Sequence, residues 1–207
     1  MPPFDAILFD FDGVLADTEP VHFAAWVEAL KPLGVTFDWD FFRAHCVGID
    51  DRSMVPLFAP LADPPFDPEA IWARHPEKVA LFRRWTLASP PFAPELDGFL
   101  KRLHGAYKLA VVTASARVEI EPLLAAGGIA QHFDALICGK EAGRNKPAPD
   151  PYLHAATLLE VKNPLVVEDS EAGIASGRAA GFEVLAVGSA AQMPEAVERR
   201  LTGSRTP

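Results

Sequence analysis

Short apolar runs alternate with helical segments through most of the chain, and this alternation restricts its fold more than any other feature. The apolar runs lie at Ala6–Phe9, 109–112, Ala135–Cys138, 165–167 and 184–187. Around the later runs, helices are predicted over residues 96–105, 118–128, 151–160 and 172–181. Strands that are buried on both faces and connected by helices form parallel sheets with helices on both sides. The sequence therefore predicts an α/β fold with a doubly wound parallel sheet.

A different pattern fills residues 17–88, which contain no convincing strand. Apolar residues at helical spacing predict helices over residues 21–33, 37–46, 54–61 and 69–87. All four tryptophans and half of the fourteen phenylalanines lie in this segment, and such rings fill the core of a small helical bundle. Ser89, Pro90 and Pro91 then interrupt the chain. We expect a core domain formed by residues 1–16 and 89–207, with residues 17–88 inserted as a helical cap domain.

The charge and the composition of the chain limit its partners. With a net charge of −9, it lacks the basic surface that general binding to nucleic acid or to an anionic membrane requires. Cys46 and Cys138 are the only cysteines and have no metal-ligand spacing, so two buried, reduced thiols are expected. The first residues do not resemble a signal peptide, and no apolar run reaches the roughly 20 residues of a membrane span. We expect a cytoplasmic monomer that binds neither nucleic acid nor membrane.

Two carboxylates follow the first apolar run. Asp10 and Asp12 are separated by one residue, and residues i and i+2 of an extended chain point to the same side. Gly13 then allows a sharp turn. Taken alone, the pair suits either a polar strand end with an Asp-Gly turn or a site for a divalent cation and a group that is attacked and protonated. The other strand ends decide between these alternatives.

Polar residues also follow the other predicted strands. Thr113 follows the second run, Lys146 lies in the loop after the third, and Glu168 and Asp169 follow the fourth. Each has a structural alternative, because a threonine can cap a strand end, a loop lysine can be solvated, and two acids can begin a helix. Ligands of open α/β sheets bind outside the carboxyl ends of the strands. All of these residues lie there in sequence order, so we expect one shared site.

These residue types suit phosphoryl transfer. One carboxylate attacks phosphorus and carries it covalently, while a second donates a proton to the leaving oxygen and later accepts one from water. A divalent cation held by carboxylates offsets the repulsion between an anionic nucleophile and an anionic phosphate. A lysine and a hydroxyl bind the remaining phosphate oxygens. The chemistry predicted from these residues is therefore phosphoryl transfer.

This ordered set resembles the haloacid dehalogenase superfamily, in particular its phosphatases and phosphomutases with a helical cap. The resemblance covers nearly the whole chain and includes the position of the insert. It depends on four motifs, at residues 10–19, Thr113, residues 146–150 and residues 168–173. It implies a Rossmann-like sheet of strand order 5-4-1-2-3, with the switch point between the first and fourth strands.

The resemblance also implies a role for each matching acid. Asp10 would be the nucleophile that becomes an aspartyl phosphate, and Asp12 would be the general acid and base. Mg²⁺ would be bound by the Asp10 side chain, the Asp12 backbone carbonyl and Asp169, with Glu168 beside it. Magnesium is thus the one cofactor that the resemblance implies.

Binding of the phosphoryl group is assigned to the second and third motifs. Thr113 and Lys146 would hold its oxygens. The backbone near Phe11 and Ala114, together with Ser115, would add further contacts to the substrate.

The helical cap would select the substrate, and two of its residues are candidates for contacting it. His22 matches a histidine that tunes the acid/base aspartate in β-phosphoglucomutase, but related sugar phosphatases share this stretch and a packed histidine is the structural alternative. Arg52 follows a loop that resembles a phosphate-binding cap loop, one place later than in the mutase. Where the mutase has a cap lysine, Pro76 interrupts the stretch that leads to Lys78. A mutase must hold a second phosphate in its cap, so we favour a phosphatase, with a sugar phosphomutase as the alternative.

Two further classes are disfavoured. A haloacid dehalogenase, which hydrolyses a carbon–halogen bond, uses the nucleophilic aspartate without a metal and has no need of Asp12 or of Glu168 and Asp169. A receiver-type signalling module uses similar acids, threonine and lysine. It places its phosphorylated aspartate after an earlier acidic pair, however, and it carries no large helical insert.

Overall fold

The computed structural model describes residues 4–47, 51–62 and 64–203, apart from the Lys140 side chain. The chain divides into two compact units, one formed by Met1–Asp17 and Pro90–Pro207 and the other by Thr18–Ser89. Both boundaries lie one residue after the positions expected from the sequence. We refer to the first as the core unit and to the second as the helical unit.

A five-stranded parallel sheet forms the centre of the core unit. Its strands are β1 (Ala6–Phe9), β2 (Lys108–Thr113), β3 (Ala135–Cys138), β4 (Pro164–Glu168) and β5 (Glu183–Ala186). Their order is β3-β2-β1-β4-β5, which is the predicted order counted from the other edge and so confirms it. In the middle of the sheet, Phe9 is level with Val111 of β2 and Val167 of β4. The carboxyl ends of these three strands are therefore neighbours.

Both faces of the sheet are buried, which explains why its central strands are apolar at nearly every position. In β1 all four residues are fully buried. Ile7 and Phe9 belong to one hydrophobic cluster, whereas Ala6 and Leu8 belong to another. Successive strand residues point to opposite faces, so each cluster lies between one face of the sheet and the helices that cover it. This confirms the predicted doubly wound α/β fold.

The helical unit contains five α-helices in its described part. They are α1 (Glu19–Leu30), α2 (Trp39–His45), α3 (Asp51–Phe58), α4 (Pro68–Trp72) and α5 (His75–Ala88). Single 3₁₀ turns at Lys31–Leu33 and Ala59–Leu61 follow α1 and α3. The single helix predicted over residues 69–87 is wrong, because Pro76 cannot occupy a helix interior without losing a backbone hydrogen bond. It lies instead in the first turn of α5, where its missing N–H needs no partner.

The remaining helices surround the sheet. They are α6 (Leu96–His104), α7 (Arg117–Ala126), α8 (Asp150–Leu159), α9 (Glu171–Ala179) and α10 (Met193–Leu201). The first four agree with the predicted helices to within two residues, whereas α10 was not predicted. Within the described residues, no helix has both the length and the apolar character that crossing a bilayer requires.

Both cysteines are free and buried, as the sequence predicted. Burial raises the pKa of each thiol, Cys46 and Cys138, to about 11. Buried thiols with such high pKa values are poor nucleophiles, so neither residue suggests a reactive site.

Candidate active site

The turn after β1 positions the two aspartates that the sequence singles out. Asp10 directly follows β1, is largely buried, and donates its N–H to the Val167 carbonyl at 3.0 Å. Gly13 then adopts a positive φ of 76°. A Cβ atom at this position would lie 1.9 Å from Asp169 Oδ2, so the absence of a side chain lets the Asp169 carboxylate approach. The turn thereby brings the first and fourth motifs together.

Lys146 links several strand ends. Its Nζ donates to Asp10 Oδ1 at 2.6 Å, to Glu168 Oε1 at 2.6 Å and to the Val112 carbonyl at 2.8 Å. These three acceptors match the three hydrogens of an ammonium group. Although burial opposes the shift, Asp10 and Glu168 raise the pKa of Lys146 above its usual value. Lys146 is therefore a buried cation held against Asp10 rather than a solvated loop lysine.

Glu168 is completely buried, and five donors surround its carboxylate. Oε1 accepts from the Tyr152 hydroxyl at 2.7 Å as well as from the lysine. Oε2 accepts from the Asp169 N–H at 3.1 Å and from both the N–H and the hydroxyl of Ser170, at 3.2 and 3.0 Å. Ser170 also caps α9 by accepting from the Gly173 N–H. A Cβ atom on Gly173 would lie 1.7 Å from Glu168 Oε1, so the start of α9 is shaped around this carboxylate.

The loop after β2 connects the second motif to Asp12. Ser115 Oγ donates to Asp12 Oδ2 at 2.8 Å, and the Ser115 N–H donates to Thr113 Oγ1 at 3.0 Å. Thr113 therefore caps the loop that follows β2. Its hydroxyl accepts that hydrogen bond and can still donate its own hydrogen to a ligand. Ala114 is exposed at the end of the strand, whereas the Phe11 side chain is fully buried. The assignment of Phe11 to substrate binding therefore stays a prediction.

The acids of the first and fourth motifs form a group suited to a metal ion. Asp10, Glu168 and Asp169 offer oxygens that lie within 4.8 Å of one another. Burial raises the pKa of Asp10 to about 8; Lys146 opposes this shift, and Glu168 and Asp12 add to it. Burial, followed by the charge of Glu168, raises the pKa of Asp169 to about 6. A divalent cation would offset the repulsion among these carboxylates, and an all-oxygen ligand set fits Mg²⁺. Because five donors already occupy Glu168, Asp10 and Asp169 are the better-placed ligands.

In the helical unit, His22 belongs to a buried polar cluster. Its ring stacks on Phe82 with the centroids 4.1 Å apart, and its Nδ1 accepts from Lys78 Nζ at 2.9 Å. An ammonium group can only donate, so Nδ1 carries no hydrogen. Lys78 is 2% exposed and also donates to both carboxylate oxygens of Asp51, at 2.9 and 2.7 Å. His22 is thus packed and hydrogen-bonded within the helical unit.

Arg52 has partners of its own in the helical unit. It forms an ion pair with Glu69, and its guanidinium group lies 4.8 Å from the centroid of the Trp72 ring. Residues 48–50 of the loop that precedes it lie outside the described residues. Its assignment to substrate binding therefore stays a prediction.

Sequence reasoning gave no role to two residues that the structure places in these networks. Tyr152 lies in the first turn of α8, a few residues after Lys146, and its hydroxyl reaches Glu168. Asp51 begins α3 and faces Lys78 of α5. The only signal for Tyr152 was its closeness to the third motif in the sequence. Nothing in the sequence indicated the partner of Asp51.

The fold, the four strand-end motifs and the insert together define a class of hydrolase. The sequence model of the family described as haloacid dehalogenase-like hydrolase matches residues 7–187. The chain belongs to this family, and the resemblance stated from the sequence is confirmed.

Two curated relatives are similar over most of their length. The chain is 34% identical to fructose-1-phosphate phosphatase YqaB of Escherichia coli (strain K12), over 89% of this chain and 96% of the relative. It is 29% identical to a phosphorylated carbohydrates phosphatase of Thermotoga maritima, over 86% of this chain and 82% of the relative.

Solved structures are similar as well. A putative beta-phosphoglucomutase from Thermotoga maritima superposes with a TM-score of 0.74 at 25% identity, over 97% of this chain and all of that chain (100%). CbbY from Rhodobacter sphaeroides in complex with phosphate superposes with a TM-score of 0.70 at 27% identity, over 87% of this chain and 84% of that chain.

Proposed function

We propose that the protein is a Mg²⁺-dependent phosphatase acting on a small phosphorylated metabolite, either a sugar phosphate or a phosphoglycolate-like compound. The observation that carries this proposal is the 2.6 Å contact between Lys146 Nζ and Asp10 Oδ1, because it holds a buried cation against the proposed nucleophile. Asp12, which accepts from Ser115 Oγ, is the second carboxylate that the reaction needs. The reaction proceeds through an aspartyl phosphate on Asp10.

In the first half of the reaction, a carboxylate oxygen of Asp10 attacks phosphorus, and the bond from phosphorus to the ester oxygen breaks. Asp12 enters as the carboxylic acid and donates its proton to the leaving oxygen, which departs as an alcohol. Lys146 balances the negative charge at Asp10 and on the phosphoryl group. Thr113 donates its hydroxyl hydrogen to a phosphoryl oxygen.

In the second half, Asp12 is a carboxylate and accepts a proton from a water molecule that attacks phosphorus. The bond between phosphorus and Asp10 breaks, which restores the Asp10 carboxylate and releases inorganic phosphate. The side chains of Asp10 and Asp169 and the backbone carbonyl of Asp12 are the proposed ligands of Mg²⁺. The bound ion supplies positive charge that offsets the repulsion between the nucleophile and the phosphate.

The nature of the substrate is proposed from the relatives and from the helical unit. Two relatives are named as phosphatases of fructose 1-phosphate and of phosphorylated carbohydrates, which supports a phosphorylated sugar. We assign the choice of substrate to the helical unit, with His22 and Arg52 as candidates for contacting the sugar.

A sugar phosphomutase is the second candidate. It is supported by Lys78, a lysine of the kind that a mutase cap requires, and by the structural similarity to a putative beta-phosphoglucomutase. Against it, Lys78 is paired with Asp51, which reduces the attraction of this lysine for a second phosphate. A phosphatase therefore remains the favoured activity.

The test is phosphate release from a panel of phosphorylated sugars and short phosphorylated acids with Mg²⁺, in the wild type and in Asp10→Asn. We expect release by the wild type and none by the variant, because an amide is a poor nucleophile and carries no charge. Circular dichroism checks that the variant is folded, and a chelator should abolish the wild-type activity. Undiminished release by Asp10→Asn would falsify the nucleophile assignment.

The same preparation separates the two candidate activities. Incubation with β-glucose 1-phosphate and Mg²⁺ yields glucose 6-phosphate if the protein is a mutase, and free phosphate if it is a phosphatase. Accumulation of glucose 6-phosphate without phosphate release would overturn the phosphatase proposal.

A further inference from the structure

Tyr152 lies inside the core unit with no exposed surface. Its ring belongs to the hydrophobic cluster that contains Leu8, Val112 and Val166. Its hydroxyl group, in contrast, lies at the edge of this cluster and donates to Glu168 Oε1 at 2.7 Å. A buried hydroxyl needs such a partner, but the partner here is a charged group of the candidate active site.

The oxygen that Tyr152 holds is the same oxygen that holds the site lysine. Glu168 Oε1 accepts from Tyr152 and from Lys146 Nζ, at 2.7 and 2.6 Å. Nζ also lies 5.1 Å from the centroid of the Tyr152 ring, where a cation is attracted to the face of an aromatic ring. Tyr152 thus approaches the lysine in two ways, through the shared carboxylate and through its ring.

The ammonium group of Lys146 in turn contacts two carboxylates. Its Nζ donates to Asp10 and to Glu168 at the same distance, 2.6 Å. Without the Tyr152 hydroxyl, Lys146 would be the one donor left to Glu168 Oε1, because the remaining donors of Glu168 are on Oε2. The ammonium group would then move toward Glu168 and away from Asp10.

We propose that Tyr152 is a positioning residue for phosphoryl transfer, whose hydroxyl holds Glu168 Oε1 so that Lys146 stays in contact with Asp10. The expected effect on kcat rests on the proposed function, whereas the expected displacement of Lys146 does not. Lys146 offsets the charge that develops between Asp10 and the phosphoryl group, so a displaced lysine raises the barrier more than it weakens substrate binding.

The kinetic experiment compares Tyr152→Phe with Tyr107→Phe. Both variants keep the ring and remove one hydroxyl, and Tyr107, the only other tyrosine, packs against the other hydrophobic cluster of the core unit. For Tyr152→Phe we expect kcat to fall about 10-fold while KM changes less than about 2-fold, as for a lost hydrogen bond to a charged group. Tyr107→Phe should leave both constants unchanged. An unchanged kcat in Tyr152→Phe, or a rise in KM alone, would overturn the proposal.

A double-mutant comparison separates positioning from packing. If Tyr152 acts through Lys146, then adding Tyr152→Phe to Lys146→Ala should cost less than about 2-fold in kcat, because the group to be positioned is already absent. A merely structural role predicts that the same 10-fold loss persists in the Lys146→Ala background. That result would contradict the proposal.

A third measurement does not depend on activity. A buried, hydrogen-bonded lysine ammonium exchanges its hydrogens slowly and gives a distinct signal in ¹H–¹⁵N spectra, assigned to Lys146 by its loss in Lys146→Ala. We expect this signal to shift or to broaden in Tyr152→Phe and to stay in place in Tyr107→Phe. An identical signal in Tyr152→Phe would refute positioning of the lysine. If the wild type released no phosphate from any substrate, the proposed function would fail while this measurement still decided the role of Tyr152.

Discussion

Replacing Asp51 by asparagine removes the negative charge that balances a buried lysine of the helical unit. Asp51 accepts from Lys78 with both oxygens, from Trp26 Nε1 at 3.0 Å and from His75 Nε2 at 3.0 Å. The Lys78 side chain is 2% exposed, whereas that of Asp51 is 24% exposed. Asparagine keeps the shape and one oxygen acceptor, so the main change is the loss of the charge next to an ammonium group that water cannot reach.

The expected cost follows from this burial. Removing one partner of a buried ion pair destabilises a protein by about 3–5 kcal/mol, because the other charge stays buried without compensation. Since a quarter of Asp51 is exposed, we expect the lower end, about 3 kcal/mol. For a unit of the size of Thr18–Ser89, a change of about 1 kcal/mol shifts Tm by roughly 4–8 °C. The predicted fall in Tm is therefore roughly 12–24 °C.

Tryptophan fluorescence is the suitable assay, because all four tryptophans lie in the helical unit. Thermal unfolding followed in this way reports on that unit and not on the sheet. The matched control is the double variant Asp51→Asn with Lys78→Met, which removes both charges and fills the same space. It should recover most of the lost stability. A fall in Tm of less than about 3 °C in Asp51→Asn would refute the reasoning.

The same pair makes a prediction about pH. Burial raises the pKa of Asp51, but Lys78, His22 and Trp26 together lower it, and the net result is a pKa below the usual value. A carboxyl group whose pKa is lowered by folding stabilises the protein above its unfolded pKa, and this contribution is lost as the pH falls through the folded pKa. The Tm of the helical unit should therefore fall on acidification below about pH 4. The double variant should lose less stability over that range.

Two substitutions near Glu168 and Asp12 provide further tests. Gly173→Ala would place a Cβ atom 1.7 Å from Glu168 Oε1, so we expect a loss of about 1–3 kcal/mol of stability in a urea titration and a lower kcat. The control is Gly98→Ala in α6, where the new Cβ atom would lie 3.8 Å from Arg102, an ordinary van der Waals distance, so this variant should be neutral or more stable. Equal losses of stability in the two variants would contradict this expectation. Ser115→Ala removes the donor that holds Asp12, so kcat should fall about 10-fold with KM little changed. A kcat equal to that of the wild type would show that Ser115 does not orient the acid.

Much of the core unit follows directly from the sequence. The central strands are apolar at nearly every position because both of their faces are buried, and this pattern indicates a parallel α/β sheet. The site could be located for a related reason. In such a sheet the carboxyl ends of the central strands are neighbours, so Asp10, Thr113 and Asp169 had to lie near one another once the strand order was known.

Local propensity was less informative in two places. The helix predicted over residues 69–87 is interrupted before Pro76, because apolar periodicity does not reveal where a missing N–H will end a helix. In the last helix, Met193–Leu201, the two buried residues are Met193 and Val197. Two apolar positions among polar neighbours are too few to predict a helix from periodicity. Apolar periodicity therefore missed one break within a predicted helix and one whole helix.

The sequence by itself determined the fold class, the residues at the strand ends and the family of this protein, because these depend on periodicity and on motif spacing. Only the tertiary structure decided which partner each charged group has. Lys146 is shared between Asp10 and Glu168, Tyr152 holds the Glu168 oxygen that contacts the lysine, and Asp51 balances Lys78. Hydrogen bonds and ion pairs act over about 3 Å, and residues far apart in the chain reach that distance only once the helices have packed.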